Sequence, residues 1–370
     1  MITIEARNVN DALWSGANII RQYGVQSETR NGPVLVLPGP VSTFYTCPQE
    51  RVLFNEVRDA NPFFHLVESL WMIAGRNDLK ALTPYVADFG RYSDDGKTVP
   101  GAYGHRWRKH FIADSPRLNT LDQLAWAIRR LKEDPSDRRV VIQMYDAETD
   151  QPAADRGGKD IPCNLMALPA IVDGKLNLTV FNRSNDMVWG AYGANAVHFS
   201  VLQEYLAAMI GVPMGYYWQV ANNYHAYLST LDKAPVEWPW GVSKVHPTAG
   251  QPIQDPYGRN VVRPMDMFSG QSEKEILEDI NMFFEDPARI GIRSPFLRKV
   301  ACPMVMAHRA FKASKKTGIL DASEILEQIP ADNDWRVGAT LWLTNRARSR
   351  SRAADDGVNH AAENQNGAAG

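Results

Sequence analysis

The feature that most limits how this chain can fold is a pair of short apolar runs, Leu165 to Val172 and Leu176 to Phe181, joined by Asp173-Gly174. Asp-Gly between two strand-like runs favours the tight turn that takes positive φ at both central residues, so the pair predicts an antiparallel hairpin. A hairpin alone is marginal in water and needs more strands and a covering layer. The flanking sequence supplies both. Apolar residues from Asn195 to Ile210 recur with helical spacing, and Met214 to Val220 is aromatic and β-like. Upstream, residues 3–20 read as a strand-like start and an amphipathic helix, and residues 62–75, PFFHLVESLWMIAG, are apolar around most of the helical circumference, as in a buried helix. A further helical pattern over residues 118–133 ends at Asp134-Pro135-Ser136-Asp137, after which Val140 to Tyr145 is strand-like and residues 146–160 form a polar insertion. The sequence by itself supports mixed strands and long helices in one chain, and no finer fold.

With 370 residues the chain is long enough for one large domain or two ordinary ones, and its 44% hydrophobic content supports a substantial buried core. Residues 232–300 are richer in Pro and Gly with a weaker pattern, and residues 349–370 are poor in apolar side chains and read as a disordered tail. A formal charge of −2 gives no cationic field for polymeric nucleic acid. No stretch approaches the ~20 apolar residues of a membrane span, and the N-terminus lacks the order of a signal peptide, so the expected location is the cytoplasm. Cys47, Cys163 and Cys302 lack paired spacing, which argues against a zinc site or a disulfide framework and predicts free thiols.

Two placements suggest chemistry. Glu68 is the one ionisable residue well inside the apolar 62–75 helix, and a carboxyl held there suits general acid/base work, although a structural ion pair would serve as well. From Arg138 to Tyr227, polar residues gather at strand ends within apolar surroundings: Arg138, Arg139, Cys163, Asn182, Arg183, Ser184, Asn185, Asp186, Asn195, His198, Asn223, His225 and Tyr227. Singly, each has an ordinary structural explanation. Their density points to a site.

In order and spacing, Pro162-Cys163, the hairpin, Asn182-Arg183-Ser184-Asn185-Asp186, Gly190, Asn195 and His225-Ala226-Tyr227 resemble the thymidylate synthases and their pyrimidine hydroxymethylase relatives, including phage-type members. Arg30-Asn31-Gly32 resembles that family's phosphate loop, Glu68-Ser69-Leu70-Trp71 its catalytic-glutamate helix, Tyr103-Gly104 with Trp107-Arg108 its active-site wall, and Arg138-Arg139 its double-arginine motif. The likeness covers roughly residues 10–235, leaving 236–348 divergent, and implies a single catalytic domain over residues 1–348. It implies an α+β sandwich whose large mixed sheet is covered by helices on one side and stacks on its twin in a homodimer, with Arg138 and Arg139 reaching across to the partner's site. It also implies transfer of a one-carbon unit from 5,10-methylenetetrahydrofolate, as co-substrate and without a metal, to C5 of a pyrimidine deoxynucleotide. If the gene is a phage's, that happens in the host cytoplasm.

The chemistry explains the residue types. Pyrimidine C5 attacks a one-carbon donor only after a thiolate adds at C6, the role of Cys163. A guanidinium beside it, Arg183 by resemblance, is expected to favour the thiolate. Arg30, Arg183, Arg138 and Arg139, with Ser184, form a phosphate cup. By resemblance Glu68 moves protons and orders water, Tyr103 lines the wall, Asp186 supports the nucleotide pocket, and His225 and Tyr227 hold the sugar hydroxyl.

The shared intermediate carries an exocyclic methylene at C5. Hydride from the folate gives a methyl group, and water gives a hydroxymethyl group. Where synthases usually carry a tryptophan pair this chain has Phe89 and Tyr92, its end is polar, Asn164 stands where they have histidine after the nucleophile, and one extra residue separates Gly190 from Asn195. These departures favour water, which is easier to admit to an open site. An asparagine at 195 can donate to O4 and accept from N3–H of uracil, so dUMP is the expected substrate. Methylation of dUMP to dTMP and hydroxymethylation of dCMP stay open, as does a catalytically silent nucleotide-binding relative, against which the joint presence of Cys163, Arg183 and Glu68 argues.

Overall fold

A computed structural model describes the backbone of residues 1–112, 121–234 and 255–366, with side chains as far as Ser351. Residues 118–120 of the expected helix, 235–254 of the weakly patterned stretch and 367–370 of the expected tail lie outside the described residues.

The strands are β1 Ile2–Ala6, β2 Val25–Thr29, β3 Gly32–Val36, β4 Val41–Tyr45, β5 Ile142–Gln143, β6 Asn164–Val172, β7 Lys175–Asp186 and β8 Met214–Tyr227. They form one mixed sheet in the order β1-β4-β8-β7-β6-β5, and the β2–β3 hairpin joins through β3 to β8. β8 is long enough to serve two neighbours on one edge: its first half pairs with β4 and its end, His225 to Tyr227, with β3. The Asp173-Gly174 turn forms as the sequence predicts, with φ of 50° and 69° at its central residues. β7 then runs parallel to β8, so Ser184, Asn185 and Asp186 stand beside Asn223, Tyr224 and His225. That register gathers the polar strand ends.

The helices are α1 Val9–Tyr23, α2 Pro62–Ile73, α3 Tyr103–His105, α4 Gln123–Glu133, α5 Ala147–Asp155, α6 Asn195–Ile210, α7 Glu273–Glu285, α8 Cys302–Ala313, α9 Gly318–Leu326 and α10 Asp334–Asn366. α6 is buried nearly all round, from Asn195 to Met209, and forms the centre of the helical layer. Large apolar side chains such as Phe199, Leu202 and Leu206 are fully enclosed, each contributing ~1.5–3 kcal/mol. α2 packs on α6 and is itself almost wholly buried, as its apolar composition predicts. Gly104 allows α3 to lie against the end of α2, since a Cβ there would stand 2.0 Å from the Met72 carbonyl oxygen.

The sequence reading is altered in places. The strand expected over residues 140–145 is only the two-residue β5, and the polar insertion at 146–160 carries α5, capped by the Asp146 side chain. The backbone of α10 extends through residues 349–366, which composition reads as a disordered tail. Among the described residues no helix is long and apolar enough to cross a membrane, and no group of three or more His, Cys, Asp or Glu is placed to hold a metal ion.

Candidate active site

Cys163 lies just before β6, half-buried, with a free thiol. Arg183 of β7 fixes the segment that carries it. Its backbone N–H donates to the Cys163 carbonyl at 2.9 Å, and its Nε and Nη2 donate to the carbonyls of Pro162 and Ile161, each at 2.9 Å. The guanidinium is thereby held beside the thiol, as the resemblance implies. Arg183 and Arg30 both favour the thiolate, yet burial outweighs them and raises the thiol's pKa.

One contributor to that rise escaped the sequence reading. Asp160 accepts a hydrogen bond from the Gly101 backbone at 2.7 Å and is close enough to Cys163 to oppose thiolate formation. Burial raises Asp160 itself to about 6, against the pull of that hydrogen bond and of Arg106. No local motif marks it, because its partners come from the loop before α3.

Behind the nucleophile runs a chain of buried amides. Asn164 Nδ2 donates to Asn195 Oδ1 at 3.2 Å, and Asn195 Nδ2 donates to Asn185 Oδ1 at 3.0 Å. Asn195 therefore opens α6 directly behind the Cys163 strand, despite the extra residue after Gly190. That residue is absorbed by the π-type turn Met187–Ala194, kinked at Tyr192 and Gly193. Both amide atoms of Asn182 and Nδ2 of Asn185 are buried without hydrogen-bond partners, which marks donors and acceptors left for a polar ligand. Tyr103 is enclosed near Cys163 and Asn164, and burial holds its hydroxyl far above the usual range.

Asp186 caps the π-type turn, its Oδ1 accepting from the Trp189 N–H at 2.6 Å, and burial raises its carboxyl despite nearby His225 and Arg58. Arg58, also unforeseen, is buried, donates through Nε to the Val188 carbonyl at 2.7 Å and lies 4.3 Å from the Trp189 ring centre. Burial lowers its pKa to about 10. Half-buried Ser184 faces Asn223 across the β7–β8 pair, and His225 Nδ1 lies 2.9 Å from Asn223 Oδ1. Tyr227 closes this corner, accepting from Asn31 Nδ2 at 3.4 Å. The Arg30-Asn31 turn is thus brought to the end of β8, beside the other polar strand ends.

Glu68 is buried on α2, with Oε2 3.0 Å from Nε2 of His198 on α6. Arg138 and Arg139 are not gathered with this set. Both are exposed between α4 and β5, and Arg139 turns onto Asp137, its Nε 2.8 Å from Oδ1. Phe89 is buried, edge-on to Phe64 of α2 and to Tyr92.

These residues bring together a thiol with a guanidinium beside it, a chain of buried amides suited to a heterocycle edge, and a carboxyl–imidazole pair between α2 and α6. Comparison with known proteins agrees with that chemistry. The thymidylate synthase family model matches residues 52–238. A deoxyuridylate hydroxymethyltransferase from Pseudomonas phage M6 is 45% identical over 363 residues, 97% of this chain and 99% of its own. The deoxyuridylate hydroxymethyltransferase of Bacillus phage SP01 is 40% identical over 191 residues, 51% of this chain and 49% of its own. A thymidylate synthase from Symbiobacterium thermophilum is 29% identical over 200 residues, 51% of this chain and 64% of its own.

Proposed function

The chain belongs to the thymidylate synthase family, and from that premise we propose that it converts dUMP, 5,10-methylenetetrahydrofolate and water into 5-hydroxymethyl-dUMP and tetrahydrofolate. The observation that carries this reading is the position of Cys163, with the Asn164–Asn195–Asn185 amides behind it and Arg183 and Arg30 towards its mouth. A nucleotide whose phosphate engages the arginines and whose base edge reaches Asn195 would present C6 to the thiol. The uracil specificity rests on the amide: with one donor and one acceptor site of Asn195 already used, one hydrogen and one lone pair remain for O4 and N3–H.

Addition of the Cys163 thiolate at C6 makes C5 nucleophilic, and C5 takes the methylene carbon from the folate. Loss of the C5 proton and departure of tetrahydrofolate leave an exocyclic methylene, which water captures. Expulsion of Cys163 then restores the aromatic ring. Phe89 and Tyr92 leave the folate wall without the indoles that would help hold the cofactor for hydride transfer.

We further infer a homodimer that stacks sheet on sheet. The sheet face opposite the helices is lined by Phe44, Trp218, Thr179 and Leu168 in one cross-strand row and by Val220, Phe181 and Met166 in the next, all half-buried in one protomer. Stacked and edge-on ring contacts link Phe44, Trp218 and Tyr216 on this face. An apolar sheet face of this kind calls for a covering layer. The same assembly would carry the outward-turned Arg138 and Arg139 to the partner's phosphate cup.

Mass spectrometry of the product from dUMP, dCMP and methylenetetrahydrofolate, with absorbance followed for dihydrofolate, tests the reading. Hydroxymethyl-dUMP without dihydrofolate supports it. Thymidylate with stoichiometric dihydrofolate, or turnover of dCMP alone, overturns it.

A further inference from the structure

His198 has no part in the chemistry described so far. It is 3% exposed, sits one turn along α6 from Asn195 and therefore lies on the same face of the helix. Its Nε2 approaches Glu68 Oε2 to 3.0 Å, yet the two atoms are not aligned as a hydrogen bond, and neither has another partner. Two buried polar atoms this close but off-line are placed as two groups are when both contact a third, small polar molecule. His65 stands edge-on to His198 at 6.3 Å between ring centres, and burial holds its pKa well below the usual value, so it adds no fixed positive charge. The Asn164 amide, next to Cys163, donates to Asn195 at the start of the helix that carries His198.

We propose that Glu68 and His198 together clasp the water that attacks the exocyclic methylene, with His198 Nε2 accepting its proton. The inference deepens the hydroxymethyl reading and rests on it. In the step, the water oxygen bonds to the methylene carbon and its O–H bond breaks toward Nε2. The methylene π electrons pass into the ring, C5=C6 re-forms, and the C6–S bond breaks with its electron pair on Cys163. The imidazolium so formed is stabilised by the Glu68 carboxylate. The proton lost from C5 and the one taken from water equal the two that the tetrahydrofolate nitrogens acquire, so the turnover balances without an oxidant or reductant.

The test separates methylene transfer from water capture. Tritium release from dUMP labelled at C5 reports the first, and hydroxymethyl-dUMP reports the second. His198→Asn and His198→Gln remove the base, and the glutamine keeps an amide near the place of Nε2 should the asparagine fail to fold. In a single turnover both are expected to release tritium at a rate near the wild type's while hydroxymethyl product forms ~10²-fold more slowly, the scale of a lost general base, because the uncaptured methylene stays bound to Cys163. An added thiol, which needs no such base, should then trap the methylene as a thioether. A folded variant that keeps product equal to tritium release, or that loses both equally, overturns the role of His198. The wild-type arm, run in ¹⁸O-labelled water, separates the premise: absence of label in the product, or formation of thymidylate, overturns the hydroxymethyl reading itself, whatever the variants do.

Discussion

Asn195 donates through Nδ2 to Asn185 Oδ1 at 3.0 Å, which fixes the orientation of an amide whose other end accepts from Asn164. An aspartate at this position would keep the Asn164 bond and would face Asn185 with an acceptor. Asn185 can answer by turning its own amide, since its Nδ2 has no partner to lose. Asn195→Asp is therefore expected to fold and to exchange a donor for an acceptor at the base edge. The ratio of kcat/KM for dCMP to that for dUMP should rise by roughly 10–100-fold, the discrimination of one good bidentate contact. An unchanged ratio would assign base choice to another side chain, with the unpartnered Asn182 the first to examine.

Asp160 and Cys163 are coupled in the opposite sense to Arg183 and Cys163. The Asp160 carboxyl, at about 6, is ionised at neutral pH and adds to the burial that raises the thiol's pKa. Asp160→Asn removes that charge and leaves an oxygen for the Gly101 N–H. The pH dependence of Cys163 alkylation by iodoacetamide should shift to lower pH in the variant, and the alkaline rise of kcat/KM should move with it. A profile that stays in place would mean that the carboxyl is screened from the sulfur.

The hairpin, the buried α2 and the central α6 were legible because each follows a local rule: a turn dipeptide, an all-round apolar helix, a helical period. The strand expected at 140–145 shortens to Ile142 and Gln143 because regular pairing ends there: the N–H groups of Met144 and Tyr145 both converge on the Leu165 carbonyl of β6, and Val140 is buried ahead of the paired residues. Cys163, Arg183 and Asn195 were legible through motif spacing. The net effect on the thiol was not, since burial is decided by Tyr103, Asp160 and the rest of the enclosing loops, far away in sequence. Asp160, Arg58 and the pairing of Glu68 with His198 likewise depend on contacts between elements that no single segment announces.

Arg139 holds Asp137 through Nε and Nη2 while most of its side chain faces outward, as an arginine committed to another protomer would. If it serves the partner's phosphate cup, Arg139→Ala and Cys163→Ala each inactivate by spoiling different halves of a shared site. Mixing the two inactive variants, with subunit exchange, should return activity through dimers in which one site has both residues. Cys163→Ala alone should still bind dUMP in calorimetry, because Arg183 is anchored by the carbonyls of Pro162 and Ile161 and not by sulfur. Mixtures that stay inactive would place both residues in the same protomer's site.

Asp334 gives a test of stability away from the chemistry. It is 1% exposed at the start of α10, accepts from the Tyr257 hydroxyl at 2.8 Å and from the Trp335 N–H at 2.9 Å, and burial raises its pKa to about 7 from an ordinary 3.8. Between those two values the folded protein keeps a proton that the unfolded chain has released. Stability from this group is therefore greatest at low pH and falls as pH rises through the window, and the full cost, on the order of 4 kcal/mol, is present above it. Asp334→Asn stays neutral at every pH and should remove that slope. Urea unfolding at about pH 5 and about pH 8 should show the variant gaining on the wild type at the higher pH, where the wild type must carry a buried charge. Parallel stability curves would show that the Tyr257 and Arg51 side chains already neutralise the cost of ionising it.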